Sequence, residues 1–268
     1  DKAKGASATL GSNGGNASAS LAGVNSKANS ATATANATGS AKVISANLIL
    51  TGALTVYSKG DSYAKAVVNA DDFTGGAVGI GVNVLYAYAK GGFNATASGN
   101  IEASGITIDS TYKVNANAVS AQPNKGAKLE LASIQGNIAY AETNASSTAG
   151  IDGAGTIVTG ALSAKATGTA KATADIQGVN LSITGVSLAI NVVTAVVSGT
   201  QKAIVKDANV TASSVTVQSD FNTGSSTSNY AATATVGSNS GASVGLVGGD
   251  TSSAKASVTA KVSSEVLG

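Results

Sequence analysis

Gly79-Ile80-Gly81-Val82-Asn83-Val84-Leu85-Tyr86-Ala87-Tyr88-Ala89 follows the turn-forming run Thr74-Gly75-Gly76, and its reading decides the fold. Small or apolar side chains fall on every second position, the period of a strand with unlike faces, and no three-four spacing of a helix face develops. The same alternation returns in Ala17-Ser18-Ala19-Ser20-Leu21, Ala31-Thr32-Ala33-Thr34-Ala35 and Ala231-Ala232-Thr233-Ala234-Thr235-Val236. Alanine favours helices in isolation, but here it alternates with Ser, Thr, Asn and Gly, and 33 glycines interrupt the chain every few residues. The class predicted is all-β, with very little helix.

Working outward from that stretch, two sequence anchors return at one period. The first is an apolar-hydroxyl-apolar triplet or its close relative: Leu54-Thr55-Val56, Ile106-Thr107-Ile108, Leu162-Ser163-Ala164 and Val215-Thr216-Val217, at steps of 52, 56 and 53 residues. The second is an apolar residue followed three or four places later by a polar one: Leu21 to Asn25, Ile80 to Asn83, Ile134 to Asn137, Leu188 to Asn191 and Leu246 to Asp250. Their polar members are 58, 54, 54 and 59 residues apart. Two anchors out of phase that agree on about 54 residues predict a repeat architecture. Each repeat has two parts. One reads like residues 203–217, two short strands joined by a turn, and the other like the longer strand Gly79 to Ala89 after its Gly-rich turn.

The expected fold is therefore an all-β, parallel β-helix-like β-solenoid. Residues 1–268 form a single repetitive segment of about five repeats, the first and last incomplete. Interiors of Ala, Val, Gly and Ser let sheets approach more closely than the roughly 10 Å usual for face-packed sheets, so a thin, flattened cross-section is expected. The Asn25, Asn83, Asn137, Asn191 and Asp250 series is expected to form a polar ladder from repeat to repeat, in preference to a ligand-contacting row.

Composition narrows the chemistry. The 268 residues hold 51 Ala, no Arg, no His, no Cys, no Trp and no Met, with 4% aromatic residues. Without His or Cys the common zinc, haem, iron-sulfur and thiol sites are missing, as are His-activated nucleophiles. The chain is expected not to be an enzyme; no catalytic residue, cofactor-binding residue or metal ligand is assigned, and no cofactor is expected. The net charge of +2 comes without a basic run, which speaks against nucleic acid. The longest apolar stretch, Val186 to Val197, is broken by Ser187, Asn191 and Thr194 and falls short of the roughly 20 residues of a membrane helix, so no transmembrane segment is expected. The opening Asp1-Lys2, without an initiator Met or a leader, reads as part of a longer chain.

The stretch Gly79 to Ala89, followed by Ala95-Thr96-Ala97-Ser98-Gly99-Asn100-Ile101-Glu102-Ala103-Ser104-Gly105-Ile106-Thr107-Ile108, resembles the repeats of giant bacterial filamentous adhesins and exoproteins of the fusobacterial leukotoxin type. Those repeats carry a Gly-rich lead, a Val-Ala-Val-Asn strand, a threonine-alanine strand and a closing Val-Ala-Gly-x-Leu-x-Val-x-Ala segment. The resemblance implies a β-solenoid stalk of a secreted or surface-displayed adhesin or extracellular fibre, exported by a two-partner or autotransporter route. It also implies a host-cell or matrix receptor as partner, and it carries over no catalytic residue. Open sheet edges and solenoid ends are expected to promote self-association into filaments.

Other features are weighed against this. Asp71-Asp72 beside Gly75-Gly76, and Gly248-Gly249-Asp250, lack both EF-hand spacing and the calcium-binding β-helix tandem, and read as solvated turns. Tyr86 and Tyr88 share a strand face and form either a small exposed platform or edge packing. The Thr32, Thr34 pair suggests an ice-binding array, but later repeats do not keep it. Asn-x-Ser/Thr acceptors such as Asn36 and Asn94 follow from composition. Two alternative functions remain. A polysaccharide-degrading β-helix enzyme would need Glu102, Glu130, Glu142 and Glu265, which are isolated in sequence. A toxin- or pore-associated outer-membrane barrel would need aromatic girdles that are absent from the sequence.

Overall fold

The computed structural model describes residues 2–11, 18–19, 24–69, 74–121, 127–177, 181–223, 232–237 and 243–268. They form ten strands: β1 Lys2–Gly11, β2 Ser18–Ala19, β3 Val24–Ile49, β4 Leu54–Asn69, β5 Thr74–Ala103, β6 Ile106–Ala121, β7 Ala127–Ile176, β8 Leu181–Phe221, β9 Ala232–Val236 and β10 Ser243–Leu267. The fold is all-β, as expected, and no described residue is helical. All ten strands belong to one parallel sheet that curls nearly closed, like a barrel.

Every described pairing joins residues far apart in the chain. β3 lies on β5 with Val24 opposite Val78, β5 lies on β7 with Ile80 opposite Ile134, and β7 lies on β8 with Ile134 opposite Leu188. Each of those steps is 54 residues. The first anchor is one continuous column: Leu54, Ile106, Leu162 and Val215 lie side by side, with their triplets in register.

The strands form an outgoing limb, illustrated by β5, and a returning limb, illustrated by β6. They meet at a corner around residues 50–54 and 103–106. Leu50 N–H donates to Glu102 O at 2.8 Å, Ser104 N–H to Gly52 O at 3.0 Å and Leu54 N–H to Gly105 O at 2.8 Å, so even the corner is laddered. In β7 and β8 the strand passes this corner unbroken.

Just before the corner the register slips by a residue or two, between Ser45 and Leu48, Ala97 and Ile101, and Asp152 and Gly155. This recurring bulge holds positive-φ residues at Gly99 (97°), Gly153 (125°) and Asp207 (56°). The sequence reading of residues 203–217 as two short strands and a turn is thus revised. The left-handed residue Asp207 bends one strand without ending it, because the neighbouring ladder continues past it.

Alanine is the commonest residue of the core. Ala87, Ala89, Ala116, Ala118, Ala139, Ala141, Ala172 and Ala195 are fully buried between the limbs. A second cluster of larger side chains, including Ile101, Ile106, Ile108, Ile151, Ile157 and Leu162, fills the region beside the corner. Near the middle, two aromatic rings use space left by glycines. A Cβ on Gly39 would lie 3.0 Å from the Phe93 ring, and one on Gly91 2.9 Å from it. Tyr112 is likewise accommodated by Gly168 and Gly199, where a Cβ would come within 2.5 and 2.6 Å of the phenol. Such a ring over a strand glycine covers backbone that would otherwise lack packing. The Tyr112 hydroxyl, deeply buried, accepts a hydrogen bond from Gln201 Nε2. Ser147 Oγ donates to the carbonyl of Ser110 at 2.8 Å, and Ser110 Oγ donates to the carbonyl of Phe93 at 2.7 Å.

Candidate interaction surface

Four asparagines run up the outgoing limb as one hydrogen-bonded ladder. Asn29 Nδ2 donates to Asn83 Oδ1, Asn83 to Asn137 and Asn137 to Asn191, each at 2.8 Å. Asn191 Nδ2 then donates to Ser252 Oγ at 3.4 Å. Each interior amide both donates and accepts, which satisfies the largely buried Asn83 and Asn137 without a ligand. The ladder expected from sequence is correct for Asn83, Asn137 and Asn191 and corrected at both ends. Asn25 lies beside Gly79 and Asp250 beside Ala189, so the column instead begins at Asn29 and ends at Ser252. An apolar-to-polar spacing of three or four residues leaves the phase of the column open, and only pairing fixes it.

The outer face beside this ladder carries the larger apolar side chains. From Leu85 onward the odd-numbered residues of β5 point inward, as buried Leu85, Ala87 and Ala89 show. Ile80, Val82 and the Tyr pair therefore share the outer face. Neighbouring strands repeat the arrangement, with Ile80, Ile134 and Leu188 in one column and Val84, Ile138 and Val192 in another. Exposure is 36% at Ile80, 44% at Ile134, 40% at Leu188 and 45% at Ile190. Large apolar side chains outside and alanines inside reverse the usual assignment of strand faces. Contiguous exposed apolar columns of this kind are typical of interaction surfaces.

A tyrosine cluster continues the face. Tyr86 and Tyr88 stack with ring centroids 6.0 Å apart and planes 8° apart. Tyr140, directly beside Tyr86 on β7, leans against both at 6.1 and 5.6 Å. Tyr86 and Tyr88 are thus two of a group of three, half-buried by one another. Lys90 Nζ lies 5.8 Å from the Tyr88 ring centroid, and the Tyr140 hydroxyl donates to Glu142 Oε2 at 2.8 Å. Partial burial and the Glu142 carboxylate, which accepts from the neutral phenol and repels the phenolate, push the Tyr140 pKa up to about 12. Tyr88 shifts the same way, first through burial and then through Tyr86 and Glu142.

The remaining sequence candidates are dispersed. Thr32 and Thr34 lie beside Tyr86 and Tyr88, which ends any threonine array after one strand. Gly248, Gly249 and Asp250 are part of β10, so the turn expected there is a strand. Asp71 and Asp72 lie outside the described residues. Glu102, Glu130 and Glu142 lie beside Val158, Thr184 and Val196, while Glu265 lies beside Ile204 and pairs with Lys202 at 3.0 Å. None of the four is laddered to another. All described pairings are parallel, unlike the antiparallel meander of an outer-membrane barrel. No helix is long and apolar enough to cross a membrane among the described residues.

An open apolar groove of about 630 Å³ is lined by Val205, Val210, Val215, Val217 and Val266. The chain matches no protein-family model, no curated protein and no solved structure.

Proposed function

We propose that the chain is a β-solenoid segment of a secreted or surface-displayed bacterial adhesin or extracellular fibre. It acts by extending a stack of parallel circuits and presenting an apolar, tyrosine-bearing face to a host-cell or matrix receptor. The observation that carries this reading is the Asn29–Asn83–Asn137–Asn191 ladder, in which side chains one circuit apart bond directly. A polar column of that kind favours building the same circuit again. The near absence of chemically reactive side chains, the exposed apolar columns and the resemblance to adhesin repeats support the same function.

On this reading the chain alone is broader than it is tall. The 16 residues of β6 extend about 53 Å, whereas the five stacked outgoing strands rise by about 19 Å. A rod therefore requires further circuits or further copies.

Inserting four extra in-frame copies of residues 127–180 tests the solenoid. Small-angle scattering from the monomer should show growth of about 19 Å in one dimension and none in the other two. Growth in all dimensions would overturn it. Beads coated with the chain should be retained on host-cell layers or immobilised matrix protein, and replacing Ile134, Ile138 and Leu188 with Ser should release them. Retention no better than that of albumin-coated beads would end the adhesive assignment.

A further inference from the structure

We infer that the outer face of the returning limb is a binding site for a linear acidic polysaccharide. The site lies away from the apolar columns and the tyrosine cluster of the outgoing limb, and it goes beyond the adhesive reading without resting on it.

Three strands build the face. β4, β6 and the later part of β7 run side by side, with Tyr57 beside Asp109 and Asp109 beside Lys165 at one end, and Lys65 beside Asn117 at the other. The even-numbered Ala64, Val114, Ala116, Ala170 and Ala172 are buried between the limbs, so the odd-numbered residues face outward. The 15 outward positions within 57–65, 109–117 and 165–173 hold five lysines, two aspartates, two tyrosines and six Thr or Asn residues, with no aliphatic side chain. Lysine exceeds aspartate there by three charges, whereas the whole chain carries a net charge of +2. The positive charge is thus concentrated on one face.

Lys59, Lys113 and Lys171 stand 54 and 58 residues apart in the chain, which is why no basic run is visible in the sequence. Strand pairing sets each of them one strand over and two residues on from the last, in a diagonal row with steps of roughly 8 Å. Lys65 and Lys165 flank the row on either side. Among the described residues Lys59, Lys65, Lys113 and Lys171 form no ion pair, while Lys165 lies 3.8 Å from Asp220. The carboxylates nearby have other partners: Asp109 accepts from Thr111 Oγ1 at 3.1 Å, and Asp175, at the border of the face, from Gln177 Nε2 at 2.5 Å. A row of unpaired ammonium groups complements a chain of regularly spaced anionic groups.

The other side chains select the kind of polyanion. Tyr57 and Tyr63, on the same strand as Lys59 and Lys65, are 48% and 39% exposed. An open tyrosine ring offers an apolar face to the C–H side of a sugar, and the surrounding Thr and Asn groups donate and accept as sugar hydroxyls require. A lipid surface is held by apolar side chains that insert into it, and none points outward here. Phosphate backbones favour arginine forks, but the chain has no Arg and sets Asp61 and Asp109 among the lysines. Those carboxylates repel a uniformly charged phosphate backbone and accept hydrogen bonds from sugar hydroxyls.

Titration calorimetry of the full chain with heparin fragments, hyaluronan fragments, neutral dextran, inorganic polyphosphate and duplex DNA tests the site. Heparin should bind most tightly, hyaluronan, with its lower charge density, more weakly, and dextran not at all, with affinity falling as salt rises. Lys59→Ala, Lys113→Ala and Lys171→Ala together should weaken heparin binding between about tenfold and a hundredfold at low salt. Lys42→Ala, Lys255→Ala and Lys261→Ala together remove the same charge from exposed positions elsewhere and should weaken it less than about threefold. Tyr57→Ala with Tyr63→Ala should weaken heparin and hyaluronan binding and leave polyphosphate unaffected. Melting temperatures of all these variants should match the parent chain, since none of the substituted side chains is buried.

Absence of heparin binding, equal losses in the two triple-lysine variants, or DNA bound as tightly as heparin would overturn the site. Equal effects of the tyrosine changes on heparin and polyphosphate would overturn sugar recognition. Replacing Ile134, Ile138 and Leu188 with Ser should leave heparin binding intact, so failure of the adhesive face and failure of this site are separate results.

Discussion

The asparagine column shows what a single side chain contributes when its neighbours are copies of itself. Asn137 donates to Asn191 and accepts from Asn83, so Asn137→Ala leaves a donor and an acceptor without partners and should destabilise by about 1–3 kcal/mol. Ser252→Ala, at the exposed end of the column, should change stability by less than about 0.5 kcal/mol. Urea unfolding measures both, and equal effects would show that the column is not the stabilising unit. The tyrosine cluster makes stability depend on alkaline pH. Folding holds the Tyr140 proton above its ordinary value near 10, and burial raises the pKa of Tyr112 as well. The contribution is therefore complete below pH 10 and lost as pH rises through about 12. The urea midpoint should fall between pH 9 and pH 11.5, and Glu142→Gln should reduce the fall; a flat profile would refute the assignment. Tyr140 was legible in principle, since it stands one period after Tyr86, but a face search confined to one strand does not reach it.

At the scale of the element, the decisive events are the bulges. Gly99 sits at φ 97°, and a Cβ there would run into the Ser45 carbonyl on the adjacent strand. Gly99→Ala should cost about 2 kcal/mol or more, while Gly52→Ala, with open space around it, should cost about 0.5 kcal/mol or less. Thermal unfolding of the two variants makes the comparison. The strands and their parallel pairing were readable because the Leu54, Ile106, Leu162 and Val215 triplets share a β-branched or leucine pattern and pair in register. The bulge was not, since a one-residue slip leaves alternation intact on either side. Nor was the outward placement of Ile80 and Ile134. Where glycine and alanine alternate with isoleucine and valine, both faces look apolar, and the narrow interior admits the smaller set.

At the scale of the molecule, β5 to β8 each pair with strands on both sides whereas β1 and β10 each pair with one, so order should decay from the middle strands outward. Hydrogen exchange should be slowest in β5 to β8 and fastest in β1 and β10, and uniform protection would contradict this order. The alanine rows pose a problem for folding, because they offer little to distinguish one pairing register from another. Phe93 has Gly39 on one side and Ser147 on the other, and Tyr112 lies beside Gly168 with Gly199 under its hydroxyl. Pairing either ring with the wrong strand would drive it into Ala145 or strand it over an empty glycine. The two aromatic residues thus act as graduation marks on an otherwise blank ruler, allowing a monotonous sequence to count its own turns.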